Sequence, residues 1–399
     1  MSSLLKTTLA SKHYPGTPVT ASRLANGAFN ACYRVTFGNG HRVLVRFTAL
    51  GRVVARSEKV EDEVTVMRYL RAAHSDPCSE GPRTWKMCCW PVHCDVFHRR
   101  ESVDRISSRS ISGDHHTKSE YAPISLKESL SKPEFPFIGA IRQDSSGGWT
   151  VSKRPLTLNM NRLAQFSNIP LEVFARGHFT TAADYFEELA QQHLYHLEHQ
   201  RNDAITDESD CRKKYIARCL FRKLSREIST EHCNGPFRLY CDDLHPGNVL
   251  VDQFTYAAPW WLLLERPEDW DSDLHEFLAR FMPRFRIFLD VLRDCESAKI
   301  KAGSFLSDSQ RLSIPMEKSL QSGLFWICLA LRHGSIFDEI YWTFIDERFF
   351  GPFTALDERV ALLSVEERLG MDAFVERKMR QASERSLVSN YSVDQLVNL

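Results

Sequence analysis

Leu239-Tyr-Cys-Asp-Asp-Leu-His-Pro-Gly-Asn-Val-Leu-Val-Asp252 is the run on which the fold assignment turns. Phe237, Leu239 and Tyr240 make an apolar strand that enters a polar loop, and Val249, Leu250 and Val251 make a second apolar strand that leaves it. Inside the loop the carboxylate of Asp243 is followed five residues later by the carboxamide of Asn248. Such a pair on one loop suits phosphoryl chemistry: the carboxylate takes or orients the proton of an attacking hydroxyl, and the amide oxygen helps hold Mg²⁺. His245, Pro246 and Gly247 set a tight turn that presents both groups to one side. An ordinary hairpin with Asp and Asn as turn residues is the competing interpretation, and the strand-loop-strand context weighs against it.

The run resembles the catalytic loop of the aminoglycoside phosphotransferase and choline kinase-like family, usually written H-G-D-L-H-P-G-N. Asp243, Leu244, His245, Pro246, Gly247 and Asn248 match position for position, whereas Cys241 stands in place of the usual His and Asp242 in place of the usual Gly. The resemblance implies an α+β, protein-kinase-like two-lobe fold with a small antiparallel-sheet N-lobe and a mostly helical C-lobe. It implies Asp243 as catalytic base with His245 beside it in the catalytic loop, and Asn248 as a metal ligand. ATP and Mg²⁺ are the implied cofactors, and a small-molecule hydroxyl is the implied acceptor. The family carries a second metal carboxylate on a return strand, about eighteen residues past the base. Here the next carboxylate is Asp252, nine residues past Asp243, which either takes the metal role or is the turn acid that closes the strand. With that ligand displaced, transfer is expected to be impaired, and a catalytically inactive, pseudokinase-like or interaction protein of the same fold is the alternative.

Residues 23 to 47 predict a glycine-containing hairpin followed by a third strand. Gly27 sits in a turn where positive φ or close approach to phosphate is available. Tyr33, Val35 and Phe37 alternate on one face; after the Gly38-Asn39-Gly40 turn, Val43, Val45 and Phe47 alternate on the next strand, with Arg42, Leu44 and Arg46 opposite. Gly27, Asn30 and Tyr33 match the family's loop, and Arg46 stands where kinases commonly hold a phosphate-binding Lys. A planar guanidinium also binds phosphate, though a solvated strand arginine fits the sequence equally well. From Val54 to Leu70 the spacing is helical, with Val60, Val64, Met67 and Leu70 as the stripe. Glu63 beside it resembles the family's helix glutamate, which orients the phosphate-binding side chain through an ion pair; Glu61 and Asp62 are rivals.

Residues 1–73 are thus expected to form the N-lobe, 74–132 a divergent and poorly ordered segment, and 133–399 the helical C-lobe with the loop 239–252. In the middle segment periodicity vanishes and no strand, hinge or helix is apparent. Cys78, Cys88, Cys89, His93, Cys94 and His98 crowd there, but no C-x-x-C pair occurs, which argues against zinc. In the C-lobe, a Gly147-Gly148 hairpin and helices over 180–198, 210–229, 271–298, 308–333, 335–348 and 357–385 are expected. His193, His196 and His199 fall at steps of three and predict a polar helix face. Phe325, Trp326, Phe337, Tyr341, Trp342, Phe344, Phe349 and Phe350 are expected in the core. Glu265, Glu268, Asp269, Asp271 and Asp273 follow the loop; in related kinases, acids of the large lobe bind cationic acceptors, while a solvating cluster is the commoner role of such a group.

The 399 residues carry 51 basic and 51 acidic side chains, so no global field favours nucleic acid or an anionic membrane. The longest apolar run, Ala257 to Leu264, is too short to span a bilayer. Eight Lys or Arg precede the first acid, Glu58, as in a presequence, but these residues also belong to the phosphate-facing lobe. Eleven cysteines without a signal-peptide pattern fit a reducing compartment, and the cytoplasm is the expected location.

Overall fold

The computed structural model describes residues 3–26, 30–49, 53, 55–73, 89–90, 92–96, 133–166, 169–201, 204–228, 233–241, 249–252, 254–263, 274–303 and 311–384. These divide into two compact units, one drawn mainly from residues before 124 and the other mainly from 150 onward. A small antiparallel sheet dominates the first and helices dominate the second, so the fold class is α+β.

The first unit opens with helix α1 (Ser3–Ser11), followed by strands β1 (Pro18–Asn26), β2 (Asn30–Phe37) and β3 (Arg42–Thr48) and helix α2 (Arg56–Ala73). β2 and β3 meet at the expected turn, where Gly40 takes φ +78° and its N–H donates to the Phe37 carbonyl at 2.9 Å. Val35, Phe37, Val43, Val45 and Phe47 point to one face and are buried with Ala10 of α1, as their period of two requires. That packing fixes the register, because a slip of one residue would bring Arg42 and Arg46 into this core. Two short strands, β4 (Cys89–Trp90) and β5 (Val92–Val96), complete the sheet in the order β1-β2-β3-β5-β4. They lie within the segment whose sequence shows no strand pattern: Cys89-Trp-Pro-Val-His-Cys-Asp-Val96 lacks an aliphatic alternation long enough to register. β5 pairs antiparallel with β3, placing His93 opposite Arg46 and Cys94 opposite Val45.

Strands β6 (Glu134–Phe135), β7 (Ala140–Gln143) and β8 (Trp149–Lys153) come next. β7 and β8 form the expected hairpin, turned by Asp144, whose carboxylate accepts from the N–H groups of Ser146 at 2.9 Å and Gly148 at 2.8 Å. Those bonds and the Ser146 hydroxyl hold the Asp144 carboxyl below its ordinary pKa.

The second unit is centred on two helices, α4 (Ala182–His199) and α5 (Glu208–Glu227), after the shorter α3 (Leu158–Phe166). Thr181 caps α4 by accepting from the Asp184 N–H at 3.1 Å, and Asp207 caps α5 by accepting from the Asp210 N–H at 2.8 Å. Phe186, Leu189 and Leu197 are buried on α4 and Ile216, Cys219, Leu220 and Leu224 on α5, whereas Leu194 and Ile228, expected on the same stripes, are half-buried. The polar-face assignment fails for His193, which is fully buried. Burial, reinforced by the charge of Arg218, lowers its pKa to about 3, against the opposing pull of the Ala330 and Leu331 carbonyls; burial and Arg218 lower His196 to about 4. Arg218 donates to the His193 carbonyl at 3.2 Å and grips Asp338 through two bonds of 2.7 and 3.0 Å.

Beyond α6 (Leu274–Lys301) the expected helix over 308–333 is two, α7 (Ser313–Ser322) and α8 (Leu324–Arg332), broken at Gly323 with φ +87°. Glu296 of α6 accepts from the Leu312 and Ser313 N–H groups at 2.7 and 3.1 Å, satisfying the N-terminus of α7 from a distance. The stretch 337–350 is helical but opens into a π turn at Tyr341–Ile345, closed by a buried Arg359–Asp346 pair and a Tyr341 hydroxyl bond of 3.1 Å to Asp346. Phe325, Trp326, Phe337 and Tyr341 are core residues, while Trp342, Phe344, Phe349 and Phe350 are half-buried. The chain continues through one short helical piece, Leu356–Val360, into α9 (Val365–Glu384). No helix among the described residues is long and apolar enough to cross a membrane.

Candidate functional site

Two structural features bear on the expected site, one in each unit. In the first, Arg46 leaves β3 on the face opposite the Val43–Val45–Phe47 core and reaches Glu63 of α2. Its Nη2 donates to Glu63 Oε1 at 3.1 Å, with side-chain exposures of only 9% and 2%. A charged pair withdrawn this far from water is held by geometry, since each partner would be costly to bury alone. The helix sets the choice among its three acids. Glu63 falls on the buried stripe with Val60 and Val64, whereas Glu61 is exposed and Asp62 half-buried.

The pair is not alone. Lys59, one turn before Glu63 on α2, donates its ammonium to the same Oε1 atom and is itself 6% exposed. The sequence assignment missed it, although Lys and Glu at i and i+4 on a helix are neighbours by construction. Read only as a surface pair, that spacing is unremarked; the burial of both partners is what distinguishes it. Asn30 opens β2, in register with Thr48, and is half-buried. Gly27 lies outside the described residues.

In the second unit, β9 (Phe237–Cys241) and β10 (Val249–Asp252) pair antiparallel with Cys241 opposite Val249, so they bracket the loop 242–248 as a hairpin. Asp243, His245 and Asn248 lie outside the described residues. Asp252 ends β10 opposite Arg238. The base of this hairpin is firmly set: Phe237, Leu239 and Tyr240 are buried, and Phe254 just beyond it stacks on Phe186 of α4 at 5.4 Å. The Arg332 guanidinium lies over Phe254 at 4.6 Å and Tyr240 at 5.0 Å. Arg238 donates to Glu134 at 2.7 Å and to the Tyr256 hydroxyl at 3.1 Å, tying β9 to β6 and to the turn that follows β10. After β10 the described chain makes two 3₁₀ turns, Phe254–Tyr256 and Trp260–Leu263, where the resemblance of the loop sequence led to the expectation of a return strand.

Among the described residues no group of three or more His, Cys, Asp or Glu side chains is arranged to hold a metal ion. Of the crowded Cys and His residues, Cys89, His93 and Cys94 fall on β4 and β5, while Cys78, Cys88 and His98 lie outside the described residues. Glu265, Glu268, Asp269, Asp271 and Asp273 lie outside them too.

No family model matches the chain, and no curated protein matches it. Among solved structures it is similar to a spectinomycin phosphotransferase in complex with ADP and spectinomycin, at 9% identity over 100% of this chain and 98% of that one, with a TM-score of 0.33. It is also similar to a type I macrolide 2′-phosphotransferase, at 13% identity over 86% of this chain and 99% of that one, with a TM-score of 0.26. Likenesses of this size leave the function to be argued from the residues themselves.

Proposed function

We propose that the chain is a phosphotransferase of the aminoglycoside phosphotransferase type, with a kinase-like fold, acting on a hydroxyl of a small molecule. The observation that carries this is the buried Arg46–Glu63 pair, which joins the third strand of the sheet to the following helix. A strand cation oriented by a helix carboxylate is how a small sheet lobe presents fixed positive charge to a phosphate chain. The donor set fits the group: a guanidinium offers a planar fork to phosphate oxygens, and its glutamate anchor keeps that fork from swinging. Gly27 and Asn30 would line the phosphate chain with it. Bound ATP with Mg²⁺ would supply the phosphoryl group and the charge neutralisation for its transfer.

In the second unit, Asp243 would accept the proton of the acceptor hydroxyl. His245 would brace the loop, and Asn248 and Asp252 would offer oxygens to the metal. The hairpin anchored by Phe237, Leu239, Tyr240 and Phe254 supports this assignment, because a catalytic loop needs rigid ends. The acceptor would be a small polyol or aminoalcohol, cationic if the acids after the loop contact it, and the protein would work without nucleic acid or membrane, in the cytoplasm.

One observation favours a second reading, a non-catalytic relative that keeps the fold. The chain enters 3₁₀ turns after Asp252 where a return strand would bring the second metal carboxylate. Calorimetric titration of the full chain with ATP, with and without Mg²⁺, separates the two. Saturable, Mg²⁺-strengthened binding is expected of the phosphotransferase; absence of binding by a folded chain would overturn it and leave the non-catalytic relative.

A further inference from the structure

Glu63 serves two cations with one oxygen, and that arrangement is poorly explained if its only task is to orient Arg46. Lys59 and Arg46 both donate to Oε1, both are withdrawn from water, and each competes with the other for the same lone pairs while repelling it. Lysine is among the residues least often buried, and an i,i+4 pair made only for helix stability would sit equally well on the solvent face. Lys59 also lies in the first turns of α2, the end of a helix where the backbone dipole already favours anions and disfavours cations. Two buried cations held on one Glu63 oxygen in the first turns of α2 form a cluster of fixed positive charge to which a further anion is attracted.

We propose that Lys59 is a second phosphate-binding cation, and that with Arg46 it makes a two-pronged clamp for the phosphate chain of a nucleoside di- or triphosphate. The proposal rests on the nucleotide reading above. It divides the work by chemistry. Arg46 brings a planar and always charged fork suited to two oxygens of one phosphate. Lys59 brings a compact point charge with three rotatable donors, of which Glu63 occupies one and two remain for phosphate oxygens. Glu63 then positions both, so its removal should weaken binding through each cation at once.

The test compares ADP with adenosine on the full chain by calorimetry, because adenosine carries the base and sugar without phosphate. Wild type should prefer ADP. Lys59→Met should lose about 10- to 100-fold in ADP affinity, the size of one hydrogen bond to a charged group, and leave adenosine binding unchanged. Lys59→Arg, which keeps the charge, should retain most of the preference. If Lys59→Met keeps the full ADP preference, or weakens ADP and adenosine equally, the proposal is overturned while the nucleotide reading stands. If wild type binds neither ligand, the nucleotide reading falls and takes the proposal with it. Should Lys59→Met fail to fold, Lys59→Gln keeps a donor on Glu63 without the charge, and the same two comparisons decide.

Discussion

Glu63→Gln is the substitution whose cost the structure sets most narrowly. The amide is the same size as the carboxylate, so no cavity is made and packing around α2 is preserved. What changes is charge: Arg46 and Lys59, at side-chain exposures of 9% and 6%, lose the anion they share. Two cations bonded to one oxygen stand within roughly 6 Å of each other, where like charges at an effective dielectric of about 20 repel by about 3 kcal/mol. Removing one partner from a buried pair costs about 3–5 kcal/mol for the same reason, an uncompensated charge left behind. We therefore expect Glu63→Gln to destabilise the first unit by about 4 kcal/mol. Lys59→Met placed on top of it should recover part of that loss, since it removes a buried cation left beside a neutral amide. Urea titration followed by hydrogen exchange in peptides from β3 and α2 reads the first unit separately from the second. A cost below about 1 kcal/mol, the size of a solvent-exposed ion pair, would refute the buried-triad account, and so would a double variant less stable than Glu63→Gln alone.

Three further outcomes follow from the second unit. Acid should destabilise it: His193 and His196 titrate at about 3 and about 4 in the folded chain against 6.5 unfolded, so protons favour the unfolded state. Stability is fully present above pH 6.5 and is lost as pH falls toward 4, by up to about 1.4 kcal/mol per pH unit for each group; thermal melts of wild type and His193→Gln from pH 7 to 4.5 should show the variant with the shallower slope. Asp346→Asn strands Arg359, whose Nε lies 2.9 Å from an Asp346 oxygen in a pair with side chains 3% and 1% exposed, and should cost about 3–5 kcal/mol by urea denaturation. Gly323→Ala must place a side chain at φ +87° with its Cβ 2.7 Å from Arg348 Cδ, and should lower stability by about 1–3 kcal/mol in the same assay.

Where periodicity was strong, the fold was legible. The alternation of Val43, Val45 and Phe47 and the turn at Gly40 follow from local rules, and each appears as those rules require. β4 and β5 were invisible because a strand of two residues and one of five, rich in Cys and His, offer no periodic signal. The helix break at Gly323 was missed because a lone glycine inside an apolar run is tolerated in helices as often as it ends them. His193 was misplaced because a step of three marks a helix face without saying whether that face meets water; the bulk of Phe221 and Phe337 around it settles that in three dimensions. At the candidate site, Arg46 was readable as a strand position opposite the alternating core, whereas Glu63, beside the helix stripe, was singled out from Glu61 and Asp62 only through the family resemblance. Lys59 was not, because what sets it apart is burial, and burial of a lysine has no signature in sequence.

The most direct test of the central claim is phosphate transfer from γ-labelled ATP with Mg²⁺ to a panel of small hydroxyl compounds, run beside Asp243→Asn. The account predicts labelled product from wild type with at least one acceptor, and loss of it in Asp243→Asn while ATP binding and the melting temperature are retained. Transfer that survives Asp243→Asn undiminished, or ATP binding without transfer to any acceptor across the panel, would contradict it.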